Sequence, residues 1–248
     1  MSGLPVRDRP WALFLDVDGT LLDIVDRPDA VRVPAELGAS LAIAAEREDG
    51  ALALVSGRSL DQLDALFAPH RFCAAGLHGL ERRTARGEVL RPPVSESALA
   101  LARARIEDFV RRDPGLLLED KALSLALHFR RAPQFENEAR RAMQELLAEL
   151  GPQMQLQEGK CVLELKPAGA SKRTAIEAFM RETPFAGRLP VFAGDDVTDE
   201  DGFAAVNALG GHSIRVGAEG TTQARYRVEG VAQLREWLES MNRQDSDQ

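Results

Sequence analysis

Asp16-Val17-Asp18-Gly19-Thr20 follows directly on the apolar run Ala12-Leu13-Phe14-Leu15. Two carboxylates at the exit of a buried strand gather around one point only if the chain turns, and Gly19-Thr20 supplies that turn. Bringing them together is costly: two unit charges about 4 Å apart repel by about 4 kcal/mol at an effective dielectric of about 20. A fold that does so implies a compensating cation or a shared proton. Taken alone, the run is equally compatible with a plain turn closed by an Asx-type hydrogen bond.

Three further clusters bear on that choice. Val55-Ser56-Gly57-Arg58-Ser59 runs into a helical pattern. A small hydroxyl residue, a glycine and a helix N-terminus together make an anion site, although Ser56 or Ser59 could simply cap the helix. Ser171-Lys172 opens another helix, where the dipole disfavours a cation unless a phosphate or carboxylate cluster lies nearby. Last comes Gly194-Asp195-Asp196-Val197-Thr198-Asp199-Glu200-Asp201, with five acidic residues around one strand-to-helix turn. That exceeds what helix capping requires. Hard oxygen ligands suit Mg²⁺, which takes one or two protein carboxylates and keeps waters and substrate phosphate.

The elements that must position these residues are legible as alternating patterns. Ala12–Leu15, Ala51–Val55, Phe72–Ala75, Pro190–Ala193 and Ser213–Val216 are predicted strands. Leu37–Glu46, Ser59–Phe67, Lys172–Met180, Glu200–Ala208 and Val231–Met241 have helical periodicity. Continuous apolar strands alternating with helices predict an α/β fold, a Rossmann-like parallel sheet covered on both faces. In such sheets ligands bind outside the carboxyl ends of the strands, and each polar cluster follows a predicted strand or opens a helix.

The middle of the chain has a different rhythm. A helix (Ser95–Arg111), two strands (Leu116–Asp120, Ser124–Phe129), a second helix (Gln134–Leu150) and two more strands (Met154–Glu158, Val162–Leu165) predict an antiparallel sheet with helices on one face. This gives a discontinuous core domain, 1–91 and 168–248, interrupted by a smaller α+β cap domain, 92–167. Pro92-Pro93 and Pro167-Ala168-Gly169 are the expected hinges.

Composition narrows the partners. The 248 residues are 44% hydrophobic and 28% charged, enough apolar content for a real core. A net charge of −8 argues against nucleic acid or an anionic membrane as partner. Cys73 and Cys161 lie in apolar stretches and are expected to be buried free thiols, as suits a reducing cytoplasm. No apolar run reaches membrane-spanning length, and Met1-Ser2-Gly3-Leu4-Pro5-Val6-Arg7 carries no signal-peptide core, so a cytoplasmic protein is expected; a monomer is the default expectation, with nothing in the sequence that fixes it. The stretch from Asn242 to Gln248 is expected to fray.

In order and in placement, the four clusters resemble the haloacid dehalogenase superfamily of phosphotransferases. That resemblance implies Asp16 as nucleophile, Asp18 as general acid and base, Ser56 on the phosphoryl oxygens and Lys172 on the nucleophile and phosphoryl charge. It implies Mg²⁺ held by Asp16, the backbone carbonyl of Asp18 and Asp195, with Asp196 and Asp199 in support.

More specific stretches follow: Ala74-Ala75-Gly76-Leu77-His78-Gly79, Glu119-Asp120-Lys121, His128-Phe129-Arg130 and Gly159-Lys160-Cys161-Val162-Leu163-Glu164-Leu165-Lys166-Pro167. With SGRS and GDDVTDE, they are similar to the bacterial trehalose-6-phosphate phosphatases from about Trp11 to Trp237, although Arg173 stands where many relatives have glycine. The similarity implies a small-molecule sugar phosphate as substrate, with Glu119, Lys121 and Glu164 on sugar hydroxyls. Gly57, Arg58, His78, Gly79 and Lys160 are further candidates for the same pocket. His128 is expected to make a structural hydrogen bond, and Glu164 could equally be a solvent-facing residue of an alternating strand. Rival functions are a phosphatase acting on sucrose phosphate or a hexose phosphate, and a non-catalytic sugar-phosphate sensor.

Overall fold

Strand Trp11–Leu15 is buried along its whole length, and its alternation divides the chemistry of two cores. Trp11, Leu13 and Leu15 belong to one apolar cluster, with Leu37, Leu41 and Leu234. Ala12 and Phe14 belong to another, with Ile176, Phe179, Phe203 and Val206. A strand whose successive side chains enter two different cores must lie between two layers of helix. Each fully buried Leu or Phe on it contributes about 1.5–3 kcal/mol.

The computed structural model of the chain describes residues 3–24, 33–93, 95–159, 161–217 and 220–243. The strands are β1 (Trp11–Leu15), β2 (Leu52–Val55), β3 (Cys73–Gly76), β4 (Glu81–Arg83), β5 (Val89–Leu90), β6 (Leu117–Asp120), β7 (Leu125–His128), β8 (Met154–Gly159), β9 (Val162–Pro167), β10 (Leu189–Gly194), β11 (His212–Val216) and β12 (Tyr226–Val228). The helices are α1 (Ala35–Arg47), α2 (Leu60–Phe67), α3 (Glu96–Val110), α4 (Glu136–Leu150), α5 (Lys172–Phe179), α6 (Glu200–Ala208) and α7 (Val231–Arg243). The chain divides into two compact units, Met1–Arg91 with Ala170–Gln248, and Pro92–Gly169.

The first unit holds an eight-stranded sheet in the order β12-β11-β10-β1-β2-β3-β4-β5. Strands β12 to β3 run parallel, and β4 and β5 extend it antiparallel. The parallel α/β core agrees with the expectation. Strands β4, β5 and β12 were not expected. In β4 the charges that hide it from a hydrophobic pattern are paired inside: Arg83 donates to Asp64 (2.6 and 2.8 Å) and to the Phe72 carbonyl. Glu81 accepts from the Leu60 amide and from Arg91.

The second unit is a four-stranded antiparallel sheet in the order β6-β7-β9-β8. Leu125, Leu127, Leu163 and Leu165 form one core with Ile106 of α3 and Met143 of α4. By alternation, Ala126, His128, Glu164 and Lys166 project from the opposite face.

Two expectations need correction or fall outside the described residues. Cys73 and Cys161 are free thiols, but both are half-buried rather than buried, because Cys73 opens its strand and Cys161 lies in the β8–β9 turn with φ of 63°. Of the stretch expected to fray, Asn242 and Arg243 instead close α7, where the Asn242 side-chain amide donates to Ser40, and residues 244–248 lie outside the described set. Among the described residues no helix is long and apolar enough to cross a membrane.

Candidate active site

Adjacent parallel strands deliver the first two carboxylates. Leu15 of β1 is in register with Ala193 of β10, and the Asp16 amide extends that ladder by donating to the Ala193 carbonyl (3.0 Å). Asp16 and Asp195 therefore leave neighbouring strand ends together. Gly19, at φ of 81°, turns the chain beside them, and a Cβ there would overlap the Asp195 carboxylate. Thr20 donates across the pair, its hydroxyl lying 3.1 Å from Asp16 Oδ2 and 3.2 Å from Asp195 Oδ1.

Lys172 enters from α5, whose N-cap is Ser171. Its Nζ lies 2.8 Å from Asp16 Oδ1 and 2.5 Å from Asp199 Oδ1, and all three side chains are almost wholly buried. The other Asp199 oxygen accepts the backbone amides of Asp195 (2.9 Å) and Asp196 (2.8 Å). Asp199 thus holds both the acidic loop and the lysine.

The charge balance is uneven. Burial, with the Asp199 and Asp195 charges, pushes the Asp16 carboxyl well above its usual range against the pull of Lys172. Burial and Asp199 also raise Asp195. For Lys172, burial acts to lower its pKa, but Asp16 and Asp199 more than offset this and hold it above the ordinary lysine range. Asp16, Asp195 and Asp199 each offer an oxygen within 4.8 Å of the others. Crowded hard-oxygen donors carrying more negative charge than one lysine neutralises fit a divalent cation. Asp196 is exposed and caps the turn that starts at Val197; the Asp196 backbone carbonyl accepts from Arg215 (3.0 Å).

Asp18 points elsewhere. Its carboxylate is gripped by Arg58, with Nε at 2.7 Å and Nη2 at 2.6 Å. Ser56 is buried; its hydroxyl accepts the Arg58 amide (3.2 Å) and its carbonyl the His78 amide (2.9 Å). A Cβ on Gly57 would meet the His78 ring at 2.8 Å, and one on Gly79 would meet the Ser171 carbonyl at 2.6 Å. The loops after β2 and β3 are therefore packed closely on each other and on the start of α5. Arg173 lies on that helix 3.8 Å from Glu177.

In the second unit the sequence candidates form two pairs. Glu119 of β6 accepts or shares a proton with His128 Nε2 at 2.8 Å. That hydrogen bond holds the Glu119 carboxyl below its usual range, against the opposing effect of burial. Glu164 of β9 is buried, with Lys121 Nζ 3.3 Å from one oxygen and the Ser124 hydroxyl 2.6 Å from the other. Lys160 lies outside the described residues. Sequence reasoning passed over Thr20, although it sits inside the DVDGT run, and it also passed over Ser124 and Arg215. The first two donate to candidate carboxylates, a role that a lone hydroxyl residue does not advertise in sequence.

A buried lysine–carboxylate pair, a second acidic loop and a turn meet at neighbouring strand ends, and a cation among them is the kind of group that can neutralise phosphoryl charge. Comparisons with known proteins give the family. A family model described as trehalose-phosphatase matches residues 14–232. The trehalose-6-phosphate phosphatase of Escherichia coli (strain K12) is 46% identical over 239 residues, covering 96% of this chain and 89% of that protein. Among solved structures, a trehalose-6-phosphate phosphatase related protein is 28% identical with a TM-score of 0.75, covering 93% of this chain and 96% of that one. A Bacteroides thetaiotaomicron phosphatase of the haloalkanoate (HAD) enzyme superfamily shares the fold at 17% identity and a TM-score of 0.63, covering 97% of this chain and 99% of its own. With its strand-end carboxylates, its buried lysine and a family match spanning both units, the chain belongs to the trehalose-phosphatase family and is a phosphoric monoester hydrolase.

Proposed function

We propose that the chain hydrolyses trehalose 6-phosphate to trehalose and phosphate, with Mg²⁺ as cofactor and a phosphoaspartate on Asp16. The observation that carries the chemistry is the buried contact of Lys172 with Asp16 and Asp199 beside Asp195. The substrate rests on the resemblance to the Escherichia coli trehalose-6-phosphate phosphatase and on the paired carboxylates Glu119 and Glu164.

In the first step an Asp16 oxygen attacks phosphorus and the bond from phosphorus to the sugar oxygen breaks. Asp18 gives its proton to that departing oxygen. In the second step Asp18 takes a proton from water, the water oxygen attacks phosphorus, and the bond to Asp16 breaks to release phosphate. A carboxylate nucleophile thereby divides one difficult hydrolysis into two easier displacements. Lys172 and the Ser56 hydroxyl bind equatorial phosphoryl oxygens, where charge is spread during transfer. Asp16, the Asp18 carbonyl and Asp195 would hold Mg²⁺, with Asp196 and Asp199 supporting the loop; when bound, the ion supplies Lewis-acid neutralisation of phosphoryl charge. In the free enzyme Arg58 pairs with both Asp18 oxygens, so Asp18 takes up its proton and acts as the acid once substrate binding has freed it from that pair. In the second unit Glu119, Lys121 and Glu164 bind sugar hydroxyls, since a carboxylate accepts from two at once. Gly57, His78, Gly79 and Lys160 are assigned to the same recognition.

The test is phosphate release across a panel of sugar phosphates, with Mg²⁺ and after exhaustive chelation. Trehalose 6-phosphate should give the highest kcat/KM, and chelation should abolish turnover. Preference for sucrose phosphate or a hexose phosphate would replace the substrate. Release at background on every sugar phosphate, with binding retained, would mean a sensor. Asp16→Asn should lose several orders of magnitude in kcat. Retention of more than about a tenth, less than ~1.4 kcal/mol of transition-state stabilisation, would exclude Asp16 as nucleophile.

A further inference from the structure

Glu164 is 5% exposed and Ser124 is wholly buried, so the hydrogen bond between them is made out of water. Its position follows from sheet register. Ala126 of β7 lies directly across from Glu164 of β9. Two residues earlier, Ser124 projects from the same face and meets Glu164 on the diagonal, a neighbour position that a side chain can span. Ala126 has no bulk to intervene, which leaves Glu164 free to lean toward the serine.

The turn between β6 and β7 fixes the other partner. The Lys121 amide donates to the Ser124 carbonyl (3.0 Å), and Ala122 occupies the turn with φ of 66°. The same turn therefore sets both the Ser124 hydroxyl, 2.6 Å from Glu164 Oε1, and Lys121 Nζ, 3.3 Å from Oε2. An ionised carboxylate has about four lone-pair positions. One donor on each oxygen leaves about two, and it prevents the group from rotating about its last torsion, a broad and weakly restrained one when free.

We propose that Ser124 is a positioning residue for substrate selectivity: its hydroxyl locks the Glu164 carboxylate in the plane from which it accepts sugar hydroxyls. This rests on the reading that Glu164 binds the sugar. Lys121 alone would not suffice, because a flexible ammonium is a point charge with little directional demand. Ser124 supplies the direction. A polyol substrate demands it, since neutral hydroxyls reward a carboxylate only when lone pairs and protons align.

The experiment compares Ser124→Ala, Glu164→Ala and the double variant, using trehalose 6-phosphate and an aryl phosphate, with thermal unfolding recorded for each. Ser124→Ala removes one oxygen and adds no volume, so it does not overpack the site. The expected result is a roughly tenfold fall in the ratio of kcat/KM for trehalose 6-phosphate to that for the aryl phosphate, carried by KM more than kcat. In the Glu164→Ala background the serine change should then have no further effect on the ratio. Ser124→Thr, which keeps the hydroxyl, should restore most of the ratio where it folds. If Glu164→Ala lowers the ratio and Ser124→Ala does not, the positioning role is wrong while Glu164 stands. Equal and independent losses in both backgrounds would make Ser124 a purely structural residue. A wild-type ratio in Glu164→Ala would remove the sugar role of Glu164, and the inference with it.

Discussion

Burying Lys172 against Asp16 and Asp199, with Asp195 alongside, takes out of water a set of charges that do not cancel. Such a cluster is stable only because donors converge on it: Thr20, two backbone amides and the lysine. The second unit handles a carboxylate differently. Glu119 is part-exposed and takes its stabilisation from His128. Because the shift is downward, the pair's contribution to stability is complete above the unfolded carboxyl pKa and disappears as pH falls through the lower folded value. At this exposure the contribution is small, so the titration itself is the better readout. His128→Ala should move the Glu119 carboxyl titration upward, toward the ordinary carboxylate range, as followed by carbon NMR. An unchanged titration would mean that the 2.8 Å contact does not govern its charge.

At the scale of elements, the site depends on how closely β1 and β10 end. Gly19 has φ of 81° and no room for a Cβ beside Asp195. Gly19→Ala should displace the acidic loop and lower kcat/KM by at least a hundredfold, with weaker Mg²⁺ binding in calorimetry. Near-wild-type values for both would show that the turn has slack. These strands were legible because they are buried on both faces and so read as unbroken apolar runs. Strand β4, Glu-Arg-Arg, was not: its charged side chains are satisfied by Asp64, Arg91, Glu182 and backbone groups outside the strand, and no periodicity reports such pairing. The site divides in the same way. Residues that carry charge in a motif were visible, whereas Thr20 and Ser124, which orient those charges, become visible only when non-adjacent strands are paired. Arg58 reads in sequence as a substrate ligand, and in the structure its Nε and Nη2 donate to Asp18.

Among the described residues the first unit holds two apolar cores and the second holds one. The second-unit core draws every member from residues 98–165. Leu127→Ala, in a fully packed position of that core, should cost about 2–5 kcal/mol. Calorimetry should show the loss as a lowered transition for the second unit, with that of the first unit little changed. A single transition shifted as a block would mean the units unfold together. The eight-stranded sheet also ends in a particular way. Its outer strands are the three-residue β12 and the two-residue β5, and Pro92-Pro93, just beyond β5, offer no N–H. A foreign strand needs a longer row of free backbone groups to add itself to a sheet. The eight-stranded sheet therefore presents almost no template for growth, because its margins are too short to seat an added strand.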